Sequence, residues 1–275
     1  PDYSSAASDV YKRQILENLD SYPILIPTDN DITEFYKLID RALDDELIFI
    51  ADPILDPISY GFTDSLVRYV NLREKYPDIH IMMGLGNITE LTHADTSGIN
   101  MIMLGIIEEL KLNHILTTQV SRHCSTVIRE TDLARRIIHA ASENNLTPKH
   151  INDGLLVHHG HKDYAFCSDE LIEMQGNIKD KNYRIYVNDD GIHLFNKNVY
   201  KIFSDPFDFY EHLEVSDDAG HAFYLGVELA RAQIAYQLQK EYQQDEELSW
   251  GCLVDKKVDN KLQSKELGPT FKKRK

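Results

Sequence analysis

The sequence predicts an α/β fold: four strand–helix units with parallel strands, followed by a smaller α+β unit. Three observations carry this. From about residue 21 to 145, short apolar runs alternate with helical periodicity, the order that gives parallel strands joined by crossovers. The second run, 47–51, stops at Asp52-Pro53-Ile54-Leu55-Asp56-Pro57, where each Pro lacks a donor and biases its predecessor away from helix. Beyond residue 180 the pattern changes to alternating runs around Asn188-Asp189-Asp190-Gly191 and one long amphipathic helix, a hairpin signal followed by an α+β pairing.

In order, the run 23–27 is bracketed by prolines and reads as a buried strand. Residues 28–31 offer helix caps to a helix carrying Ile32, Phe35, Leu38, Ile39 and Leu43 at helical spacing. The strand 47–51 precedes the Asp-Pro loop, and a helix over 63–75 ends at Pro77. Residues 79–83 form the next strand and run into Gly84-Leu85-Gly86-Asn87. The helix 95–112 is apolar almost all round, with Gly98 and Gly105 on one face where a backbone could approach closely. A strand over 114–118 and a helix over 130–144 complete the fourth unit. Four such units alone read as half of an eight-unit barrel or as a small open doubly wound sheet; a start in mid-fold favours the half-barrel. The long helix of the second unit is expected over 219–243.

A chain of 275 residues with 42% hydrophobic residues and fifteen Tyr buries a full core. The formal charge of −16 repels phosphates and argues against nucleic acid. Cys124, Cys167 and Cys252 show no CxxC pairing, which fits reduced thiols in a cytoplasmic protein. No apolar run approaches the ~20 residues of a membrane span. Residues 1–14 begin without Met and resemble translated adapter sequence, so they are read as a non-native leader. On that reading the natural protein is cut near Ile15 and its N-terminal half is missing. The domains expected are then 15–147 for the α/β part, a linker over 148–180, an α+β domain over 181–253 and a basic disordered tail over 254–275.

Several clusters invite chemistry. Asp52 and Asp56, at the C-terminal end of a parallel strand, could bond a donor-rich heterocycle; equally, Asp before Pro closes an Asx turn. The Gly84–Asn87 turn lacks the third glycine of a dinucleotide fingerprint and the Lys of a P-loop, but its backbone donors could hold an anion or a ring edge. Thr117-Thr118-Gln119-Val120-Ser121-Arg122-His123 ends the fourth strand with hydroxyls, an amide and a guanidinium that could pair with phosphate; solvent exposure explains it as well. His158-His159-Gly160-His161 lacks an accompanying carboxylate or Cys pattern, so a polar loop is preferred to a metal site.

Taken together, Asp52-Pro53-Ile54-Leu55-Asp56-Pro57-Ile58 with Gly61-Phe62, then Gly84-Leu85-Gly86-Asn87-Ile88-Thr89-Glu90-Leu91, then Leu116-Thr117-Thr118-Gln119-Val120-Ser121 resemble the dihydropteroate synthase-related family of pterin-binding barrel proteins. The stretches 221–230 and 242–245 resemble the small C-terminal domain attached to such proteins, and the likeness runs from about Ser21 to Leu253. It implies the C-terminal half of a (β/α)8 TIM barrel, with Asp52 hydrogen-bonded to a pterin ring and Asp56, Phe62, Asn87, Gln119 and Arg122 also binding substrate. The full-length protein would then condense a dihydropterin methyl diphosphate with an arylamine, in tetrahydromethanopterin or folate biosynthesis. The resemblance implies a pterin partner and admits a homodimer. It implies no firmly held cofactor, only Mg2+ accompanying a diphosphate substrate in the full-length protein.

The chain also departs from the family. Where true synthases carry Ser-Arg-Lys after the seventh strand, this chain has Gly86-Asn87-Ile88. Where they carry Arg-x-His after the eighth, it has Thr117-Thr118-Gln119, with Arg122 and His123 later. Expulsion of diphosphate needs cationic stabilisation of the leaving oxygens, so pterin binding survives these changes better than catalysis does. The alternative expectation is a non-catalytic pterin-binding or regulatory protein of one-carbon metabolism. The 275-residue fragment by itself is expected to be inactive.

Overall fold

A computed structural model describes residues 22–28, 31–160 and 162–255. The leader expected over 1–14 and the tail beyond 255 lie outside the described residues, as do Asp29 and Asn30 of the expected capping segment. The chain divides between Leu155 and Leu156 into two compact units.

The first unit is built on four parallel strands: β1 (Ile24–Leu25), β2 (Ile50–Ala51), β3 (His80–Gly84) and β4 (His114–Leu116). They lie side by side in sequence order, with Ile24 opposite Ile50, Ile50 opposite His80 and Met82 opposite His114. Helices α1 (Ile32–Asp44), α2 (Phe62–Lys75), α4 (Thr96–Glu109) and α5 (Val127–Glu143) connect or follow them, and a one-turn helix, α3 (Gly86–Thr89), follows β3. Asp31 caps α1, its Oδ1 accepting from the amides of Thr33 and Glu34, as an N-terminal carboxylate should.

One core joins Phe35 and Ile39 of α1, Tyr69 and Leu72 of α2, Met103, Leu104 and Ile107 of α4 and Ala134 of α5. On the sheet side it takes Leu25, Phe49, Ala51, Ile81, Met83 and Ile115. These sheet residues alternate with their neighbours along each strand, so all belong to one face. Burying each large side chain is worth about 1.5–3 kcal/mol, which fixes the strand register. All four long helices therefore cover the same face. A doubly wound sheet reverses its strand order and carries helices on both faces; this sheet does neither.

One expectation changes here. Gly98 and Gly105 meet nothing within 4 Å where a Cβ would stand, and Ile102 between them is 68% exposed. The face they share is open, and α4 is not wedged on all sides. Besides that shared core, a polar link joins α4 to α5: Glu130, buried, accepts from Thr96 Oγ1 at 2.6 Å, Asn100 Nδ2 at 2.8 Å and Thr126 Oγ1 at 2.7 Å. Three donors satisfy a carboxylate that burial would otherwise penalise.

The second unit holds an antiparallel sheet of β5 (Arg184–Asn188), β6 (Gly191–Phe195) and β7 (Tyr200–Phe203) in that order. Asn188 pairs with Gly191 across a two-residue Asp189-Asp190 loop. Gly191 has φ +141°, and a Cβ there would stand 3.1 Å from the Phe203 carbonyl, so glycine is required. Helix α7 (Ala219–Gln237) packs Leu225, Leu229, Ala232 and Ala235 against Ile185, Val187, Ile192 and Leu194. It ends six residues earlier than the sequence predicts. Gln239 takes φ +50° and the Lys240 amide returns to the Ala235 carbonyl, a left-handed cap usually made by glycine. Lys240 then buries its ammonium, donating to the carbonyls of Val157 and Ser249. In the stretch 148–180, expected as a linker, a helix α6 (Ser168–Gly176) forms. Asn188 donates to Ser168, and Gln175 donates to the Asn196 carbonyl.

Candidate functional site

The loops that leave the C-terminal ends of β2, β3 and β4 form a linked platform. The first is the Asp-Pro loop. Asp52, 8% exposed, accepts at Oδ1 from the Ile54 amide at 2.9 Å and from the Tyr69 hydroxyl at 2.9 Å. The Ile54 bond is an Asx turn, so the structural role foreseen for an Asp before Pro is present. Oδ2 carries no hydrogen bond among the described residues. Burial raises the Asp52 carboxyl above the usual carboxylate range, offset in part by those two donors. Burial and the Asp52 carboxylate together push the Tyr69 hydroxyl far up, so it serves as a donor at any ordinary pH.

Asp56 is committed elsewhere. Its Oδ2 accepts from Arg68 at 2.8 Å, and the same guanidinium donates to the carbonyls of Pro53 and Ile54. Ile54 has φ +62°, a region that β-branched residues avoid and that costs about 1–3 kcal/mol. Arg68 and Asp52 thus hold a strained turn from both sides. Gly61, at φ +106°, would place a Cβ 3.1 Å from Asp56 Oδ2, which explains the glycine before α2. Phe62 opens that helix and, half-buried, packs against the core.

The next loops tie on in sequence. Asn87 donates Nδ2 to the Leu55 carbonyl at 2.7 Å, joining the β3 loop to the β2 loop. Glu90 accepts from the amides of Val120 and Ser121, both at 2.8 Å, and from Thr118 Oγ1 at 3.1 Å. Those bonds, the Val120 amide first, hold its carboxyl down to about 2. A Cβ on Gly86 would sit 3.0 Å from Thr118 Oγ1, so glycine lets the two loops touch. Gln119 donates to the Ser125 carbonyl. Arg122 lies exposed in a 3-10 turn and forms no ion pair among the described residues. His123 lies 3.0 Å from the Thr89 carbonyl.

The six sequence-predicted residues therefore divide. Asp52, Asp56 and Asn87 meet at one loop junction. Gln119 and Arg122 belong to the β4 loop, joined to it through Glu90. Phe62 belongs to the core. Sequence reasoning missed Arg68, Tyr69 and Glu90. Tyr69 carried a signal: with Ser65 and Leu72 it lies at i, i+4, i+7 on the buried face of α2, where a hydroxyl needs a partner.

Mg2+ takes one or two carboxylates besides phosphate oxygens; of the two loop carboxylates Asp56 is spent on Arg68, which leaves one oxygen of Asp52. Among the described residues no group of three or more His, Cys, Asp or Glu could hold a metal. His159 Nδ1 lies 3.0 Å from the Leu238 carbonyl, and His161 lies outside the described residues. Two open clefts, about 580 and 410 Å³, lie in the second unit around Asp163, Tyr164 and Phe166; neither includes a residue of the Asp52 loop.

No family model matches this chain, and no solved structure matches it. It is similar to an uncharacterized protein of Methanocaldococcus jannaschii, 31% identical over 241 residues, covering 77% of this chain and 44% of that protein. The chain thus spans less than half the length of this relative. Among the described residues no helix is long and apolar enough to cross a membrane.

Proposed function

We propose that this chain is the C-terminal half of a dihydropteroate synthase-like (β/α)8 barrel and that it contributes a pterin-binding carboxylate, Asp52. The observation that carries the reading is the state of that residue. It stands at the C-terminal end of a parallel strand, where such folds bind ligands, with one oxygen fixed by Ile54 and Tyr69 and the other without a donor among the described residues. A pterin presents a ring N–H beside an exocyclic amine, and a fixed carboxylate is the natural acceptor for such donors. Sequential strand order with every long helix on one face supports the barrel, since a barrel is a singly wound sheet closed on itself.

The same residues favour binding over transfer. The cation beside the Asp-Pro loop, Arg68, already serves Asp56 and two carbonyls, so it has little left for a leaving diphosphate. The transferase reaction belongs to the full-length protein or is absent. Cytoplasmic location and the pterin partner are part of the same proposal. Calorimetry with 7,8-dihydropterin on the longest natural form, wild type against Asp52→Asn, tests it. A loss of about tenfold or more in affinity is expected, corresponding to ~1.4 kcal/mol for a charge-assisted bond. Equal affinity sinks the role of Asp52, and no heat from either protein sinks the pterin reading. The 275-residue chain alone is expected to show no turnover of a pterin diphosphate.

A further inference from the structure

The second unit offers the same backbone site at two successive positions of β5, and its own side chains use one of them. Along an antiparallel pair, residues turn their N–H and C=O groups alternately toward the partner strand and away from it. Ile185 points away from β6: its N–H donates to Gln244 Oε1 at 2.9 Å, and Gln244 Nε2 donates to the Tyr183 carbonyl at 3.2 Å. One side-chain amide thus bridges the carbonyl of one residue and the N–H of the residue two further on. The next such pair along the edge is the Ile185 carbonyl and the Val187 N–H. Neither group has a hydrogen-bond partner among the described residues, although Ile185 is 1% exposed and Val187 8%. Buried backbone groups are almost always paired, and both residues line the cleft of about 410 Å³.

We propose that this cleft binds a small planar lactam, a ring in which an N–H stands beside a C=O. The ring N–H donates to the Ile185 carbonyl and the ring C=O accepts from the Val187 N–H, the arrangement in which β5 already holds the amide of Gln244. The length of the edge selects a small ligand over an added strand. Gln244 covers the edge on one side of the pair, and on the other β5 ends at Asn188 in the Asp189-Asp190 loop. Strand addition draws its affinity from a row of main-chain bonds, and this edge leaves one pair. The walls select a ring: Tyr164, Phe166, Tyr186 and Tyr242 line the cleft, and aromatic side chains hold flat heterocycles by stacking. Charge selects against phosphate. Asp163 and Glu241 line the same cleft in a chain of formal charge −16, so an uncharged ring with further N–H donors is favoured over a nucleotide. The edge common to pterins and guanine, a lactam flanked by an exocyclic amine, has this chemistry. The inference rests on the second unit alone and not on Asp52.

Amide hydrogen exchange followed by NMR on the 275-residue chain tests it, with guanosine and 7,8-dihydropterin as probes. A probe that binds should slow exchange at Val187 about tenfold when its concentration is about ten times its Kd, and should move the Val187 amide resonance downfield. Guanosine methylated at its ring N–H should do neither. A response to one probe and not the other supports the proposal and identifies the ring as purine or pterin. Val187→Pro removes the outward N–H without breaking the β5–β6 ladder, as proline on an edge strand can. It should abolish the response, read in that variant at the Tyr186 amide. If the variant fails to fold, the methylated guanosine decides on wild type. No response at Val187 to either probe overturns the proposal, as does an equal response to the methylated one. Slowed exchange at Val187 with a strand-forming tetrapeptide, and none with guanosine or 7,8-dihydropterin, also overturns it and assigns the edge to a peptide. Because the readout sits at Val187, a negative result leaves the binding assigned to Asp52 standing, and loss of that binding leaves this one.

Discussion

The two sheets of this molecule reverse the usual relation between strand direction and burial. Among the described residues the parallel sheet of the first unit has one face packed and part of the other exposed, with Ile24 48% and Leu116 52% exposed beside the buried Met82, while the antiparallel sheet of the second unit is buried on both faces of its central strand. Every residue of β6 is buried, including Ile192 and Leu194 under α7 and His193 and Phe195 on the other side. On that second side Phe195 stacks with Tyr186 and Tyr200, and α6 is hydrogen-bonded to the sheet beside them. Antiparallel sheets tolerate water on one face and parallel sheets rarely do. The second unit thus holds what its sheet needs, whereas the described residues of the first leave part of its sheet exposed.

Substitution measures that difference directly. Phe195→Ala in the covered sheet should cost about 3–5 kcal/mol, as for a buried aromatic. Ile48→Ala in the partly exposed one should cost within about 0.5 kcal/mol in the isolated chain, as for a surface change. Urea titration followed by Trp250, the single Trp of the chain, reads the first. Backbone circular dichroism reads both. A large cost at Ile48 would show that its face is already covered in solution.

Tyr69→Phe probes the only buried carboxylate of the Asp-Pro loop. Removing the hydroxyl strips Asp52 Oδ1 of one of its two donors, which should cost about 1–3 kcal/mol. It should also raise the Asp52 carboxyl further, because that donor holds it down. Carbon-detected titration of the side chain in both proteins checks the direction; an unchanged or lowered value breaks the account of the site.

Acid should separate the two units by smaller amounts. Burial lowers the His193 imidazole below its ordinary 6.5; between Tyr200 and Asn188 it is held neutral. Below that value the unfolded chain takes up a proton that the folded one refuses, so the second unit weakens as pH falls through 6.5. Glu90 works over a lower window. Its contribution is complete above 4.5 and is lost as pH falls from there toward about 2. Asp52 has the opposite sign: its raised carboxyl costs stability as pH rises through the carboxylate range, and protonation relieves it. Denaturation at stepped pH should therefore show the Trp250 signal weakening first. Glu90→Gln should flatten the first unit's response below 4.5; a first unit that fails above pH 5 would contradict this.

Much of the architecture was legible because it is written in period and punctuation. The hairpin lay in Asn188-Asp189-Asp190-Gly191, and the four strand–helix units lay in the alternation of apolar runs with amphipathic windows. The elements that escaped have no such mark. The left-handed cap that stops α7 is a glutamine where glycine would have announced itself, and α6 is nine residues long with Leu171 its one buried side chain. The site was half legible. The carboxylates could be found from the Asp-Pro pairs, but not which of them was spent, because Arg68 meets Asp56 across twelve residues of loop and helix. That ion pair depends on the path of the strained Ile54 turn, which the local sequence does not specify.

The way the three loops are joined has a consequence for how this surface can change. Asn87 and Glu90 bind main-chain atoms of the neighbouring loops, and so does Arg68 within its own, so a few side chains fix the course of the backbone. The tips project beyond these anchors, with Tyr60 82% and Val120 85% exposed. Variation can therefore accumulate at the tips while the anchored frame stays in place. Descendants of such a chain could alter what they grip by exchanging fingertips and leaving the knuckles alone.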